Sequence, residues 1–167
     1  KNSILLTAST VLILLSGCRK LDVKIESDLT PSNFPTTPDA YVAATGPVYS
    51  QLAISSVGYS FAIEYWRMQE FSTDEAILPA RGGNFDDGGQ YRFLHLHTWT
   101  ADHPNVLGEW AWGFGGINTC NRLLNLFNQT PDNDARNTAI AEMKAMRALF
   151  YFFMMDLYGN VPIIDSF

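Results

Sequence analysis

Of the 167 residues, 47% are hydrophobic and 17% charged, which excludes a disordered, collagen-like or nucleic-acid-coating chain and predicts a folded one. Seventeen acidic against eleven basic residues give a formal charge of −6, with no basic stripe to neutralise phosphates, so no nucleic-acid partner is expected. Aromatic residues reach 13%, including four tryptophans, enough to require either a large core or an exposed binding platform.

In chain order, residues 4–15 form an apolar run of twelve. That run is too short to span a bilayer but suits the hydrophobic region of a secretory signal. Leu15-Ser16-Gly17-Cys18 follows at once and matches a bacterial lipobox: a branched residue, two small ones, then the cysteine that is acylated. Residues 1–17 therefore read as a lipoprotein signal peptide and Cys18 as the lipidation site. Acyl chains contribute roughly 0.8 kcal/mol per buried methylene, which anchors a protein without a transmembrane helix. With Cys18 so used, Cys120 has no partner and no intramolecular disulfide is expected. The chain opens on Lys1 and closes on Ser166-Phe167 after an apolar turn, and it reads as a piece of a longer protein.

Residues 18–37 are polar, with Pro31 and Pro35 ahead of Pro38, and read as an extended tether. Thr37-Pro38-Asp39 supplies a cap, a first-turn proline and an acid near the positive helix end, predicting a helix to about Leu52 with a kink at Pro47. A second, short helix is expected from about Tyr59 to Phe71. Residues 79–93 carry four glycines in fifteen positions and are read as an irregular loop. Asn105 is the expected cap of a helix whose face runs Leu107, Trp110, Phe114, Ile117, Asn121, Leu124 and Phe127, at helical spacing. Gly108, Gly113, Gly115 and Gly116 cost up to about 1 kcal/mol each against alanine, a cost offset if they admit a neighbouring helix closely. After the turn at Thr130–Asp134, a helix from about Ala135 to Tyr158 ends at Gly159, with Pro162 beyond. Its second half is apolar nearly all round, interrupted mainly by Arg147 and Asp156, which predicts burial on several sides. The two long helices make a hairpin of the type that helical arrays stack. One hairpin cannot cover that second helix alone, so further helices are expected to pack on it.

No segment carries a complete catalytic or cofactor signature. His95 and His97, with Asp102 and His103 close behind, put two imidazoles on one face of a possible strand, a spacing that metal sites use, but the set is not spaced to complete a metal's ligands. Asp86-Asp87-Gly88-Gly89 lacks the alternating acids and closing glutamate of a calcium loop. Gly113-Phe114-Gly115-Gly116 lacks the lysine and Ser/Thr of a phosphate loop. Catalytic residues, metal and cofactor are each expected to be absent.

Three segments in order resemble the SusD/RagB family of outer-membrane nutrient-binding lipoproteins. The first is the lipobox with Leu21-Asp22 and a proline-containing tether into the helix around Tyr41 and Tyr49. The second is Ser72-Thr73-Asp74-Glu75-Ala76, then the glycine-rich loop, Trp99, Trp110, Gly116-Ile117 and Asn121. The third and most specific runs Lys144-Ala145-Met146-Arg147-Ala148-Leu149-Phe150-Tyr151-Phe152, then Leu157-Tyr158-Gly159-Asn160-Val161-Pro162, with Asn160 where the family commonly has aspartate. The resemblance implies a mainly α fold of tetratricopeptide-like helix pairs with a loop-rich lobe, of which residues 38–167 are the amino-terminal part. It implies a lipid-anchored outer-membrane protein, facing outward, that captures an oligosaccharide or similar nutrient for a TonB-dependent SusC-like transporter. The alternative is a surface hydrolase, a glycosidase or peptidase. Sugar capture needs flat apolar faces and planar hydrogen-bonding groups. The loop offers Arg81, Asn84, Phe85, Asp87 and Tyr91 as candidate ligand-binding residues.

Overall fold

The computed structural model describes residues 28–53, 64–79, 81 and 87–166. Among them the chain is helical, with no strand, in the elements α1 (Pro38–Ala53), α2 (Trp66–Glu70), α3 (Gln90–His95), α4 (Pro104–Asn128) and α5 (Asp134–Tyr158). The fold is mainly α, as the sequence predicts. No helix among the described residues is long and apolar enough to cross a membrane. Cys18, Asn84 and Phe85 lie outside the described residues, as does most of the stretch leading into the second expected helix.

Helix ends follow local chemistry. The Thr37 hydroxyl accepts from Ala40 N at 3.3 Å and Pro38 occupies the first turn of α1, which continues through Pro47. At α5, Asn133 Oδ1 accepts from Arg136 N at 2.9 Å, and Gly159, at φ 70°, closes the helix. The cap of α4 differs from expectation. His103 Nδ1, not Asn105, accepts the N–H of Asn105 at 3.2 Å, with Pro104 in the first helical position. A neutral imidazole nitrogen accepts such a bond as an asparagine oxygen would, and the proline beside it fixes the register.

The expected loop over residues 79–93 also needs correction, because Gln90 to Phe93 belong to α3. The cause lies upstream. Asp87 Oδ1 accepts from Gly89 N at 2.9 Å and Oδ2 from Tyr91 N at 3.0 Å, while Gly89 turns the chain at φ 84°. One carboxylate thereby satisfies two N–H groups at the entrance to the helix.

The centre of the molecule is the α4–α5 hairpin, with α1 packed on both helices. A Cβ on Gly113 would lie 1.9 Å from Met154 Sδ, and one on Gly116 2.5 Å from the Phe150 ring. The glycines thus admit α5 side chains against the α4 backbone, the close approach the sequence suggests. Trp112 meets Phe150 edge-on at 5.2 Å. Its indole donates to Gln51 O at 2.6 Å, and Gln51 Nε2 donates back to Trp112 O at 3.1 Å, tying α1 to α4. At the other end of α1, Thr130 Oγ1 donates to Phe127 O and so accepts from the buried Tyr41 hydroxyl, at 2.8 Å in each case. Phe34, in the last part of the tether, packs with Tyr41 and Phe127. The end of the tether is therefore plugged into the core.

Two expected faces shift. On α4, Leu107 and Trp110 are exposed, whereas Asn105, Gly108, Glu109, Trp112, Gly113 and Gly116 are buried. The buried side of the first half is drawn by glycines and polar residues that a hydrophobic pattern passes over. On α5, Phe150 is 0% exposed but Phe152 is 62% exposed, so the helix is not buried all round. Leu149, Phe152 and Met155 form an exposed apolar stripe beside Ile163.

Arg147, one of the two main polar interruptions of the apolar second half of α5, holds the segment that follows the helix. Its guanidinium donates to Asn121 Oδ1 at 2.6 Å and to Asp165 O at 3.0 Å. Asn121 Nδ2 donates to Ile164 O at 2.9 Å, and the Tyr151 hydroxyl both donates to Ile164 O and accepts from Ile164 N. Cys120 lies fully buried inside the hairpin. Burial pushes its thiol up to about 11, with Arg147 pulling the other way, which leaves it an unreactive packing residue.

Candidate functional site

The other polar interruption of α5 lies at a cleft. Met68, Gln69 and Ser72 from α2 and its exit, Trp99 from the loop after α3, and Asp156, Leu157 and Tyr158 from the last turn of α5 surround it. Leu94 and Val106 complete a cavity of about 230 Å³. Asp156 Oδ2 accepts from the Tyr65 hydroxyl at 2.5 Å and from Gln69 Nε2 at 2.8 Å. Both bonds fall on one oxygen, so Oδ1 remains an acceptor for a ligand, and the Gln69 amide is fixed in orientation. The Tyr65 hydroxyl is pushed up to about 12, first by burial and then by its bond to Asp156, so it serves as a donor at any ordinary pH.

Trp99 is placed by the way α3 ends. His97 N donates to Leu94 O at 3.1 Å and Thr98 N to Phe93 O at 2.9 Å, the paired bonds of a Schellman stop. That stop needs a left-handed residue, and His97 fills it at φ 55°. A non-glycine residue there costs about 1–2 kcal/mol. The imidazole offsets this by bonding Ser72 O at 2.6 Å. A carbonyl only accepts, so Nε2 carries the proton. The ring also meets Trp99 edge-on at 5.4 Å. Trp99 remains partly exposed and borders a second hollow of about 280 Å³ with Phe93, Thr98, Thr100 and Asp102. Both hollows fall below the roughly 300–1,000 Å³ of pockets that engulf a ligand. Two shallow recesses sharing one indole suit an extended ligand lying across the surface.

The residues chosen from sequence divide differently. Arg81 is exposed. Burial pushes the Asp87 carboxyl up, but its bonds from Tyr91 N and Gly89 N more than offset this and leave it below the usual range. Both its oxygens are thereby engaged at the start of α3. Tyr91 is buried against Phe71, its hydroxyl accepting from Arg67 Nη1 at 2.9 Å. Asp87 and Tyr91 hold α3 in place and expose little to a ligand. Two of the histidines are also occupied: His97 in the stop above, and His103 as the α4 cap with Nε2 bonded to Gln90 O at 2.9 Å. No group of three or more His, Cys, Asp or Glu among the described residues is arranged to hold a metal ion. Gln69, Ser72 and Asp156 escaped the sequence reading as site residues. The available signal was Asp156 itself, an acid in an otherwise apolar helical stretch.

Two curated proteins align with nearly the whole chain. A SusD-like protein of Bacteroides ovatus is 26% identical over 171 residues, covering 97% of this chain and 28% of its own length. SusD-like protein P2 of Formosa agariphila is 25% identical over 167 residues, covering 96% and 30% respectively. The chain is thus similar to two SusD-like proteins over nearly all of its own length and spans about three-tenths of theirs. No family profile and no solved structure matches it. Among the residues that carry the resemblance, the structure accounts for Asn121 of α4 and Arg147 of α5 through the segment after α5 that they fasten.

Proposed function

We propose that the protein is a cell-surface lipoprotein, anchored through Cys18, that captures an oligosaccharide or similar nutrient and passes it to a TonB-dependent SusC-like transporter in the outer membrane. The observation that supports capture is the pairing of the exposed Trp99 face with the fixed Asp156–Gln69 pair across a shallow cleft. An indole covers the C–H face of a sugar, and a carboxylate–amide pair meets adjacent hydroxyls. The loop carrying Arg81, Asn84 and Phe85 supplies further contacts, with Asp87 and Tyr91 supporting it. Tetratricopeptide-like stacking of further helix pairs on the hairpin belongs to the same reading. The hydrolase alternative requires two carboxylates facing each other across a cleft, and Asp156 is the single carboxylate among the described residues lining this one.

The test uses the full-length protein and a panel of oligosaccharides in calorimetry. Trp99→Ala should weaken binding roughly 10- to 100-fold, the equivalent of about 1.5–3 kcal/mol of lost aromatic burial. Asp156→Asn should weaken it while leaving the helical signal intact. Unchanged affinity in both variants removes the cleft from the binding surface. Release of reducing ends by the wild-type protein, lost in Asp156→Asn, would favour the hydrolase. Anchoring is checked separately: Cys18→Ala should no longer incorporate labelled fatty acid and should leave the membrane fraction, and continued labelling refutes the lipobox.

A further inference from the structure

A buried polar cluster lies between the residues leading into α2 and the first turns of α4. Glu109 is 0% exposed and Asn105 1% exposed. They stand four residues apart on α4, on one face of the helix. Asn105 Nδ2 donates to Glu64 Oε2. Arg67 Nη1 donates to Glu64 Oε1 at 2.6 Å and also to the Tyr91 hydroxyl. The polar atoms left over are all oxygens: among the described residues, Asn105 Oδ1 and both carboxylate oxygens of Glu109 have no hydrogen-bond partner. An ionised carboxylate in that position would be a buried charge beside a second carboxylate, a costly arrangement without a cation. Arg67, the cation of the cluster, is already committed to Glu64. A divalent cation shared by Glu64 and Glu109 would have to sit against that guanidinium, which disfavours a metal.

We infer that Glu109 is held as a neutral carboxylic acid that donates to Asn105 Oδ1, completing a hydrogen-bonded chain Glu109–Asn105–Glu64–Arg67–Tyr91 that joins α4, α2 and α3 and loosens when the acid ionises. One proton satisfies two of the three leftover oxygens. The surroundings agree in direction: burial first, and the neighbouring Glu64 second, push the Glu109 carboxyl up to about 8. From the α2 side the titratable groups facing it are Glu64 and Tyr65, with Asp156 bonded to Tyr65, and from α5 it is Tyr158, whose own hydroxyl is raised by burial and then by Glu109. None of these brings a positive charge. His103, at the head of α4, has both ring nitrogens bonded to backbone groups.

The consequence is a pH-sensitive junction. A carboxyl raised in the folded state holds its proton there while the unfolded chain has lost it. Between about 4.5 and about 8 the folded protein binds more protons, so this group's contribution to stability falls as pH rises through that window and levels off on either side. Glu109→Gln keeps a neutral donor for Asn105 Oδ1 and removes the proton. In the full-length protein, the urea midpoint of the wild type should fall between pH 5 and pH 8 more steeply than that of Glu109→Gln. The variant should be the more stable of the two at pH 8, and Glu109→Ala should be less stable than Glu109→Gln at pH 5. A second readout does not depend on any variant folding. Wild-type protein carrying isotope-labelled glutamate should retain the infrared carbonyl band of one protonated carboxylic acid at pH 7. Equal pH slopes in wild type and Glu109→Gln, or absence of that band at pH 7, would overturn the inference.

Discussion

Replacing Phe150 with alanine is expected to destabilise the full-length protein by about 3–5 kcal/mol, whereas the same change at Phe152, which the hairpin itself leaves exposed, should cost less. The two residues share a helix and a chemistry, and their surroundings separate them. Phe150 is fully buried, edge-on to Trp112 and seated over Gly116. Its removal would leave a cavity bounded by the α4 backbone, which cannot collapse into the space because the helix is held on its other side by α1. Phe152 is mostly exposed and touches Phe153 at its edge. Chemical denaturation of the two variants measures the difference. Equal losses at both positions would mean that the exposed stripe of α5 is covered in the whole protein as tightly as Phe150 is within the hairpin.

Gly116→Ala is the second change with a large expected effect. On propensity alone, alanine should stabilise a helix interior by about 1 kcal/mol. Here the added methyl would sit 2.5 Å from two atoms of the Phe150 ring. An aromatic ring with both neighbours fixed cannot fold aside, so α4 and α5 must separate. Overpacking of this kind typically costs about 1–3 kcal/mol, which outweighs the propensity gain. Gly113→Ala makes a useful contrast. Its methyl would meet the thioether of Met154, a side chain with more rotatable bonds and softer packing, and the loss should be smaller. Thermal or urea unfolding of both variants should rank Gly116→Ala as the more damaging. The reverse order would show that the aromatic ring yields more readily than the thioether.

Much of this architecture is legible without coordinates because the signals are local. Thr37-Pro38-Asp39, the turn at Pro131 and Gly159 mark helix ends through chemistry contained in a few residues. The four glycines of α4 announce a close neighbour, though not which of them it touches. What escaped depends on partners distant in sequence. A pattern of apolar positions placed Leu107 and Trp110 inward, while the buried face is formed by Glu109, Asn105 and glycines, whose burial makes sense only beside Glu64 and Phe150. Helix α3 is hidden behind two glycines because Asp87, whose carboxylate binds the N–H groups at its entrance, acts from ahead of them. The cleft draws Gln69, Ser72, Trp99 and Asp156 from three separate stretches, and no linear spacing relates them. Even so, the two polar residues that interrupt the apolar half of α5 each mark a place where that helix does something besides pack.

The hairpin has a consequence for how the chain reaches this structure. Helices α4 and α5 are joined by five residues, and the joint is fastened locally, with Arg136 Nε on Phe127 O at 2.8 Å and Asn133 on Arg136 N. Contacts that close so short a loop carry little entropic cost, and topologies rich in them fold quickly. The contacts of α1 are of another kind: Tyr41 reaches Thr130 across 89 positions and Tyr49 reaches Glu142 across 93. On a growing chain α1 emerges ahead of α4 and α5, the helices it packs against, and these contacts must wait for them. The glycine-lined seam is therefore a natural nucleus, onto which α1 docks afterwards.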